Sequence, residues 1–80
     1  MKLKDIEDNY TFNWWTLVDK NGNEIASYEY KNNEYSSYVG REETDKEIYE
    51  LYKECEVLKI YDIELDGNFG NNYITIQLND

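Results

Sequence analysis

The chain has 80 residues and a formal net charge of -10, with 18 Asp and Glu against eight Lys and Arg. A chain of this size makes one domain, residues 1–80, with a thin core, and its acidity argues against direct binding to nucleic acid or to anionic membranes, because both depend on Lys and Arg. With one Cys and no His, the chain can build neither an internal disulfide framework nor a zinc cluster.

The start of the chain, MKLKDIEDNY, has two lysines but no apolar segment. Nowhere does an apolar run approach the roughly 18 residues that a membrane span needs. We therefore expect no export signal and no membrane anchor, and we predict a cytoplasmic protein. The first eight residues are expected to form a short polar lead-in.

A β-hairpin is predicted in residues 10–30, where two aromatic-rich runs flank the sequence DKNG. A two-residue turn at Asn21-Gly22 and a three-residue bulged loop with a left-handed Gly22 both fit this sequence. The bulged loop is favoured because it gives more aromatic cross-strand pairs, each worth about 0.2–1 kcal/mol. In its register the expected pairs are Phe12 with Tyr30, Trp14 with Tyr28, and Asp19 with Asn23.

The hairpin has one face that is expected to pack inward. This face carries Phe12, Trp14, Tyr28 and Tyr30. Trp15 lies on the other face, where it is either covered by a neighbouring segment or exposed as an anchor for a partner, since Trp is enriched at interface hot spots. Tyr35 is the second candidate anchor. It lies in a polar connection, residues 31–43, that fits either a loop or a short third strand.

A helix is predicted from Thr44 to about Glu56. Thr44 suits the N-cap position, and Glu47, three residues later, completes a capping box. Four residues recur at the spacing of one apolar helix face, namely Ile48, Leu51, Tyr52 and Cys55. The opposite side carries a row of carboxylates about 16 Å long, formed by Glu43, Glu47, Glu50 and Glu54.

A second hairpin is predicted around the sequence GNFGN. Its first strand alternates an apolar face, formed by Tyr61, Ile63 and Leu65, with an acidic face formed by Asp62, Glu64 and Asp66. These acidic residues recur at intervals of about 6.6–6.8 Å. The resulting order β-β-α-β-β predicts an α+β fold, an antiparallel sheet of four or five strands with one helix packed across one face.

No group of residues is a signature of catalysis. The segment that begins at Asp62 matches the first positions of an EF-hand calcium loop, but Tyr73 stands where the bidentate Glu is required. Cys55 has no His that could act as its base, and it is expected to pack in the core. We therefore predict a protein that is not an enzyme and that has no metal site and no cofactor.

The carboxylate rows carry their charges at intervals near those of nucleic-acid phosphates, which lie about 3.4 Å apart along the axis of each DNA strand and somewhat farther apart along its helical path. In its size, its acidity, its lack of His and its abundance of Asn and Tyr, the chain resembles the small acidic inhibitors that bacteriophages encode against host defences, including anti-CRISPR and anti-restriction proteins. Several members of that class mimic DNA. The resemblance covers the whole chain and rests on composition and carboxylate rows, not on a motif.

Together, the rows and the resemblance imply an inhibitor, monomeric or homodimeric, in the cytoplasm of a host cell. Its partner would be a basic nucleic-acid-processing protein, with a CRISPR-Cas effector as the first candidate, whose groove it blocks as a DNA or RNA mimic. The expected partner-binding residues are Glu43, Glu47, Glu50, Glu54, Asp62, Glu64, Asp66, Trp15 and Tyr35. Three alternatives stay open: an immunity protein against a basic toxin nuclease, a small-molecule or sugar-binding module that uses the aromatic hairpin, and a structural or adaptor subunit.

Overall fold

The computed structural model of the protein describes residues 1–7, 13–31, 34–36, 38–66 and 71–80. Its elements in chain order are α1 (Leu3–Glu7), β1 (Trp14–Val18), β2 (Glu24–Lys31), β3 (Glu34–Tyr35), α2 (Arg41–Tyr52), β4 (Val57–Asp66) and β5 (Asn71–Leu78). The strands form one sheet in the order β3-β2-β1-β5-β4, and α2 packs against β2 and β3. The predicted α+β class, with one main helix across one face of the sheet, is confirmed.

The sheet is mixed, whereas the sequence predicted a wholly antiparallel one. β1 pairs in parallel with β5, from Trp14 beside Tyr73 to Val18 beside Gln77. The other strand pairs are antiparallel. Parallel neighbours need a long crossover connection, and the segment that contains α2 supplies it. The second hairpin therefore joins the first through the pairing of β5 with β1, and β4 lies at the edge of the sheet.

The loop of the first hairpin has the predicted bulged form. Gly22 has a φ of 86°, a conformation that glycine adopts without steric cost. The Gly22 N–H donates to the Asp19 carbonyl at 3.0 Å, and the Asp19 N–H donates to the Asn23 carbonyl at 2.8 Å. The Asp19 carboxylate also accepts the backbone N–H groups of Asn21 and Asn23, which lowers its pKa.

A second bulge, on β2, shifts the pairing of the two strands by one residue. Ile25 is the extra residue, because its neighbours on β2 pair with consecutive residues of β1. Beyond it, Trp15 and not Trp14 lies opposite Tyr28. The predicted pairing of Trp14 with Tyr28 is therefore wrong. The other predicted aromatic pair involves Phe12, which lies outside the described residues.

Trp15 is consequently a core residue. Its ring stacks on Tyr28 with a centroid distance of 6.2 Å and an interplanar angle of 10°, and its indole N–H donates to the Tyr30 carbonyl at 3.2 Å. Trp15 and Tyr28 are both 0% exposed. The prediction of Trp15 as a partner-binding anchor is wrong, because the bulge turns this ring inward and places Trp14 on the outer face.

The N-terminal segment also contributes to the core, which contradicts the expected polar lead-in. The core cluster contains Leu3, Ile6, Trp15, Leu17, Tyr28, Ile74, Ile76 and Leu78. α1 is held in place by its backbone, since the N–H groups of Leu3 and Lys4 donate to the carbonyls of Cys55 and Lys53, both at 3.1 Å. A single apolar pair three residues apart is too short a pattern to predict a helix from sequence.

α2 begins and ends about one turn earlier than predicted, at Arg41 and Tyr52. Its N-cap is Gly40, which has a φ of 83° and, as a glycine, no side chain that could cap the helix. The predicted capping box of Thr44 and Glu47 is therefore wrong. The Thr44 hydroxyl instead donates to the Gly40 carbonyl at 3.4 Å.

The inward face of α2 is rotated from the predicted one. Three of its residues pack against the core, namely Ile48, Tyr49 and Tyr52. Tyr49 stacks on Tyr30 with ring centroids 6.1 Å apart, whereas Leu51 is 72% exposed. Cys55 packs against the core as expected, but from the turn after the helix.

β4 is an edge strand with a bulge near its middle. Its register with β5 shifts between Tyr61 and Glu64, and Asp62 has a φ of 52°. The bulge breaks the regular alternation on which the prediction rested. Tyr61 and Leu65 pair with Thr75 and Asn72, which point to opposite faces of β5, so the predicted single apolar face of this strand is wrong. Ile63 and Leu65 are 55% and 71% exposed.

Candidate functional site

The outer side of α2 carries most of the carboxylate row that the sequence predicts. Glu43, Glu47 and Glu50 are all exposed, and they lie at i, i+4 and i+7 on the side of the helix away from the core. At a rise of about 1.5 Å per residue, they span about 10 Å along the helix axis. We call these three residues the helix row.

The helix row keeps most of its negative charge. Within the described ranges, Glu43 and Glu47 form no ion pair. Glu50 pairs with Lys53 at 2.7 Å, and the hydrogen bond to Glu50 raises the pKa of Lys53. A shallow depression of about 480 Å³ lies beside the row. It is lined by Lys46, Glu47, Glu50 and Leu51.

Glu54, the fourth carboxylate of the predicted row, lies in the turn beyond α2. It accepts hydrogen bonds from the Lys2 and Lys4 ammonium groups, at 2.9 and 3.0 Å. These bonds, the one from Lys2 first, lower the pKa of Glu54 to about 2. In the free protein Glu54 therefore ties the N-terminal segment to the end of α2. Glu56, two residues later, accepts a hydrogen bond from the terminal amino group at 3.1 Å.

Acid is expected to weaken this attachment. A carboxyl whose pKa falls on folding stabilises the fold above its unfolded pKa, about 4.3 for Glu, and this contribution is lost as the pH falls to the folded pKa, which is about 2 for Glu54. Glu54→Gln should therefore be less stable than the native protein at neutral pH, and the difference should vanish between about pH 5 and pH 2. Urea unfolding followed by circular dichroism across this range measures it.

Glu43→Gln is the matched control for this pH series, because Glu43 has no ion pair among the described residues. Its stability should stay within about 0.5 kcal/mol of that of the native protein at every pH, because it loses only the repulsion from Glu47. A Glu54→Gln deficit that stays constant down to pH 2 would contradict the ionic origin of the effect.

Two further carboxylates are buried and take no part in the surface charge. Asp45 is 0% exposed; its carboxylate accepts the Arg41 guanidinium at 3.0 Å and the Glu29 backbone N–H at 3.3 Å. Glu7 is 3% exposed and accepts a hydrogen bond from the Tyr28 hydroxyl. Burial, followed by the Glu7 charge, raises the pKa of Tyr28 well above its usual value.

The face of the sheet away from the core carries a second set of side chains, ordered by the strand register. Four neighbouring strands contribute one residue each to a row across the sheet, namely Glu64, Tyr73, Trp14 and Glu29. We call this set the aromatic row. With strands about 4.8 Å apart, it is about 14 Å long. Trp15 and Ile74 follow Trp14 and Tyr73 along their strands, so they point to the opposite face of the sheet. Both are buried, so the aromatic row lies on the outer face.

The helix row and the strand carboxylates therefore do not form one footprint. α2 packs on the core face of the sheet, so the helix row points away from the sheet on that side. Glu64 lies on the opposite, outer face. Asp62 is exposed within the bulge of β4, and the side chain of Asp66 lies outside the described residues.

Cations contact several aromatic rings of the protein. The Arg41 guanidinium lies 5.5 Å from the centroid of the Trp14 ring, and the Lys59 ammonium lies 5.2 Å from that of Tyr61. A third pair joins Lys46 to Tyr35 at 5.7 Å. Since significant cation–π pairs occur about once per 70–80 residues, the described part of this chain is rich in them.

Tyr35, the second predicted anchor, is half-buried between β2 and α2. Its ring lies edge-on to Tyr30 at 4.9 Å and is tilted against Tyr49 at 6.3 Å. Burial raises the pKa of its hydroxyl above the usual value. Much of this ring therefore serves to join β3 to α2.

Within the described ranges, no group of three or more His, Cys, Asp or Glu is placed to hold a metal ion. Of the described helices, none has the length and apolar character that crossing a membrane requires. Burial, together with the nearby charge of Asp80, raises the pKa of the Cys55 thiol, which disfavours the nucleophilic thiolate.

No protein-family model, curated protein or solved structure matches this chain.

Proposed function

We propose that this protein is an inhibitor that binds a basic nucleic-acid-processing protein and occupies its groove with the helix row in place of phosphates. The observation that carries the proposal is a set of exposed carboxylates on one helix face, two of them without an ion pair in the described part of the chain, in a protein of net charge -10. A CRISPR-Cas effector is the first candidate target.

The energetics of α2 favour a binding role over simple solubility. Like charges at i, i+4 destabilise a helix, whereas alternating Glu and Lys stabilise it by about 0.2–0.5 kcal/mol per pair. Glu43 and Glu47 form such a like-charged pair on the exposed face. A basic groove removes this repulsion on binding, and the acidic field of the whole protein accelerates the encounter.

The helix row also has the rigidity and length that a phosphate mimic needs. Tyr49 and Tyr52 fix the other side of α2 to the core, so the carboxylates are presented without an ordering cost for the backbone. Their span of about 10 Å equals the axial length of about three nucleotides of one DNA strand. The sugar-binding alternative loses its strongest residue, because Trp15 is 0% exposed and cannot stack on a ligand.

The test is displacement of fluorescent DNA from purified nucleic-acid enzymes, followed by fluorescence anisotropy. The panel contains Cas effectors, restriction endonucleases and toxin nucleases, so that it separates an anti-defence inhibitor from an immunity protein. Against its target, the triple variant Glu43→Lys, Glu47→Lys, Glu50→Lys should lose about 20-fold in affinity. Affinity of the native protein should fall between about 50 and about 300 mM salt, because salt screens exposed charges.

A matched triple variant distinguishes the row from net charge. Glu24, Glu34 and Asp80 are exposed and form no ion pair with described residues, so their replacement by Lys changes the charge equally. This control should keep most of the inhibition. Equal loss in both variants, or no displacement from any enzyme of the panel by the native protein, would contradict the mimic.

A further inference from the structure

The aromatic row lies on the face of the sheet opposite to the helix row and has no role in the function proposed above. It places two rings, Tyr73 and Trp14, between two carboxylates, Glu64 and Glu29. We infer that the aromatic row binds an arginine-bearing segment of a basic protein, with one guanidinium stacked on Tyr73 and paired with Glu64.

Tyr73 and Glu64 are both accessible to such a group. Tyr73 is 38% exposed, and Glu64 is exposed as well. Among the described residues, no cation lies over the Tyr73 ring and none pairs with Glu64. As direct cross-strand neighbours, they have Cβ atoms about 4.5–5.5 Å apart, so that one guanidinium can reach both.

Arg41 shows this arrangement within the protein itself. Its guanidinium lies over the Trp14 ring at 5.5 Å and donates to the Asp45 carboxylate at 3.0 Å. A ring and a carboxylate thus hold a guanidinium at one position of the row. Tyr73 and Glu64 offer the same pair of groups on the next two strands.

The chemistry favours arginine over lysine and over a neutral ligand. A guanidinium is planar, so it stacks on a ring while its fork of N–H groups pairs with a carboxylate, whereas an ammonium is a compact and strongly hydrated charge. The net charge of -10 concentrates cations near the surface.

The experiment is a titration of the isotope-labelled protein with hexaarginine amide and hexalysine amide, followed by nuclear magnetic resonance. The largest shifts with hexaarginine should fall at Glu64 and Tyr73, and hexalysine should bind about 3-fold more weakly. Tyr73→Leu leaves the net charge unchanged and should weaken hexaarginine binding about 5-fold. Tyr38→Leu, at a tyrosine that is 64% exposed elsewhere, should leave it unchanged.

Glu64→Gln is a second variant, and its effect should be similar to that of Tyr73→Leu. Equal binding of the two peptides, together with Tyr73→Leu and Glu64→Gln variants that bind like the native protein, would overturn the inference and show attraction by net charge alone. Chemical-shift changes confined to the residues of α2 would also overturn the inference. The helix-row triple variant keeps Tyr73 and Glu64, so the Tyr73→Leu effect should persist in it whether or not the inhibitor proposal holds.

Discussion

Replacing Trp15 by Ala should destabilise the protein by about 3–5 kcal/mol, a large part of the roughly 4–12 kcal/mol expected for a domain of this length. The variant loses a fully buried ring that stacks on Tyr28, and it leaves the Tyr30 carbonyl without the indole N–H that donates to it at 3.2 Å. Urea unfolding followed by far-ultraviolet circular dichroism should show a midpoint shifted far toward zero urea.

Two control variants test whether the loss of stability is specific to a buried ring. Leu51 is 72% exposed, so Leu51→Ala should stay within about 0.5 kcal/mol of the native protein. Trp14 is the same residue type one position away, on the outer face, so Trp14→Ala should cost less than half as much as Trp15→Ala. Equal costs for the two Trp variants would contradict the register of the first hairpin.

The burial of Trp15 also changes how a binding defect of Trp15→Ala should be interpreted if the first hairpin binds a ligand. A ring inside the core can affect ligand binding only through the fold. Any ligand that Trp15→Ala fails to bind should then be bound again under conditions that restore folding, such as a stabilising osmolyte.

The register of the first hairpin shows what a local pattern can and cannot predict. The sequence DKNG predicts a loop with Gly22 at a positive φ, which both the two-residue turn and the bulged loop require. The bulged loop is confirmed, but the pair of Trp14 with Tyr28 that favoured it does not form. The second bulge, at Ile25, has no such local signal. Since a slip of one residue turns every side chain to the other face, this bulge exchanges the roles of Trp14 and Trp15.

The helix shows competition between local and tertiary interactions. Thr44 and Glu47 have the spacing of a capping box, but a start at Thr44 would leave Asp45 as the first helical residue. In the structure Asp45 lies one turn inside α2 and bonds both Arg41 and the Glu29 N–H at the edge of β2. These buried contacts determine where the helix lies, and they depend on residues far away in sequence.

The two surface rows were predictable to different degrees. Three carboxylates of the helix row follow from helical periodicity alone, which does not depend on the rest of the fold. The acidic row of β4 was predicted with a regular alternation that the bulge at Asp62 interrupts. The aromatic row depends on the parallel pairing of Trp14 with Tyr73, and the sequence gives no signal for a contact between strands so far apart.

Replacing Asp45 by Ala should destabilise the protein by about 2–3 kcal/mol. The change leaves the Glu29 N–H without its acceptor and removes the carboxylate that neutralises Arg41. The expected cost lies below the roughly 3–5 kcal/mol for a fully buried pair, because the Arg41 side chain is 40% exposed. Urea unfolding measures the total cost, and amide hydrogen exchange should show faster opening in the first turn of α2.

Asp45→Asn separates the two contacts, since an amide oxygen can still accept the Glu29 N–H but cannot neutralise Arg41. It should cost about half as much as Asp45→Ala. Because Asp45 fixes the turn of α2 that carries Glu43, both variants should also weaken binding to the target of the inhibitor, in the order of their stability loss, although every carboxylate of the helix row remains. Variants that are as stable as the native protein would show that Asp45 does not hold α2 against the sheet.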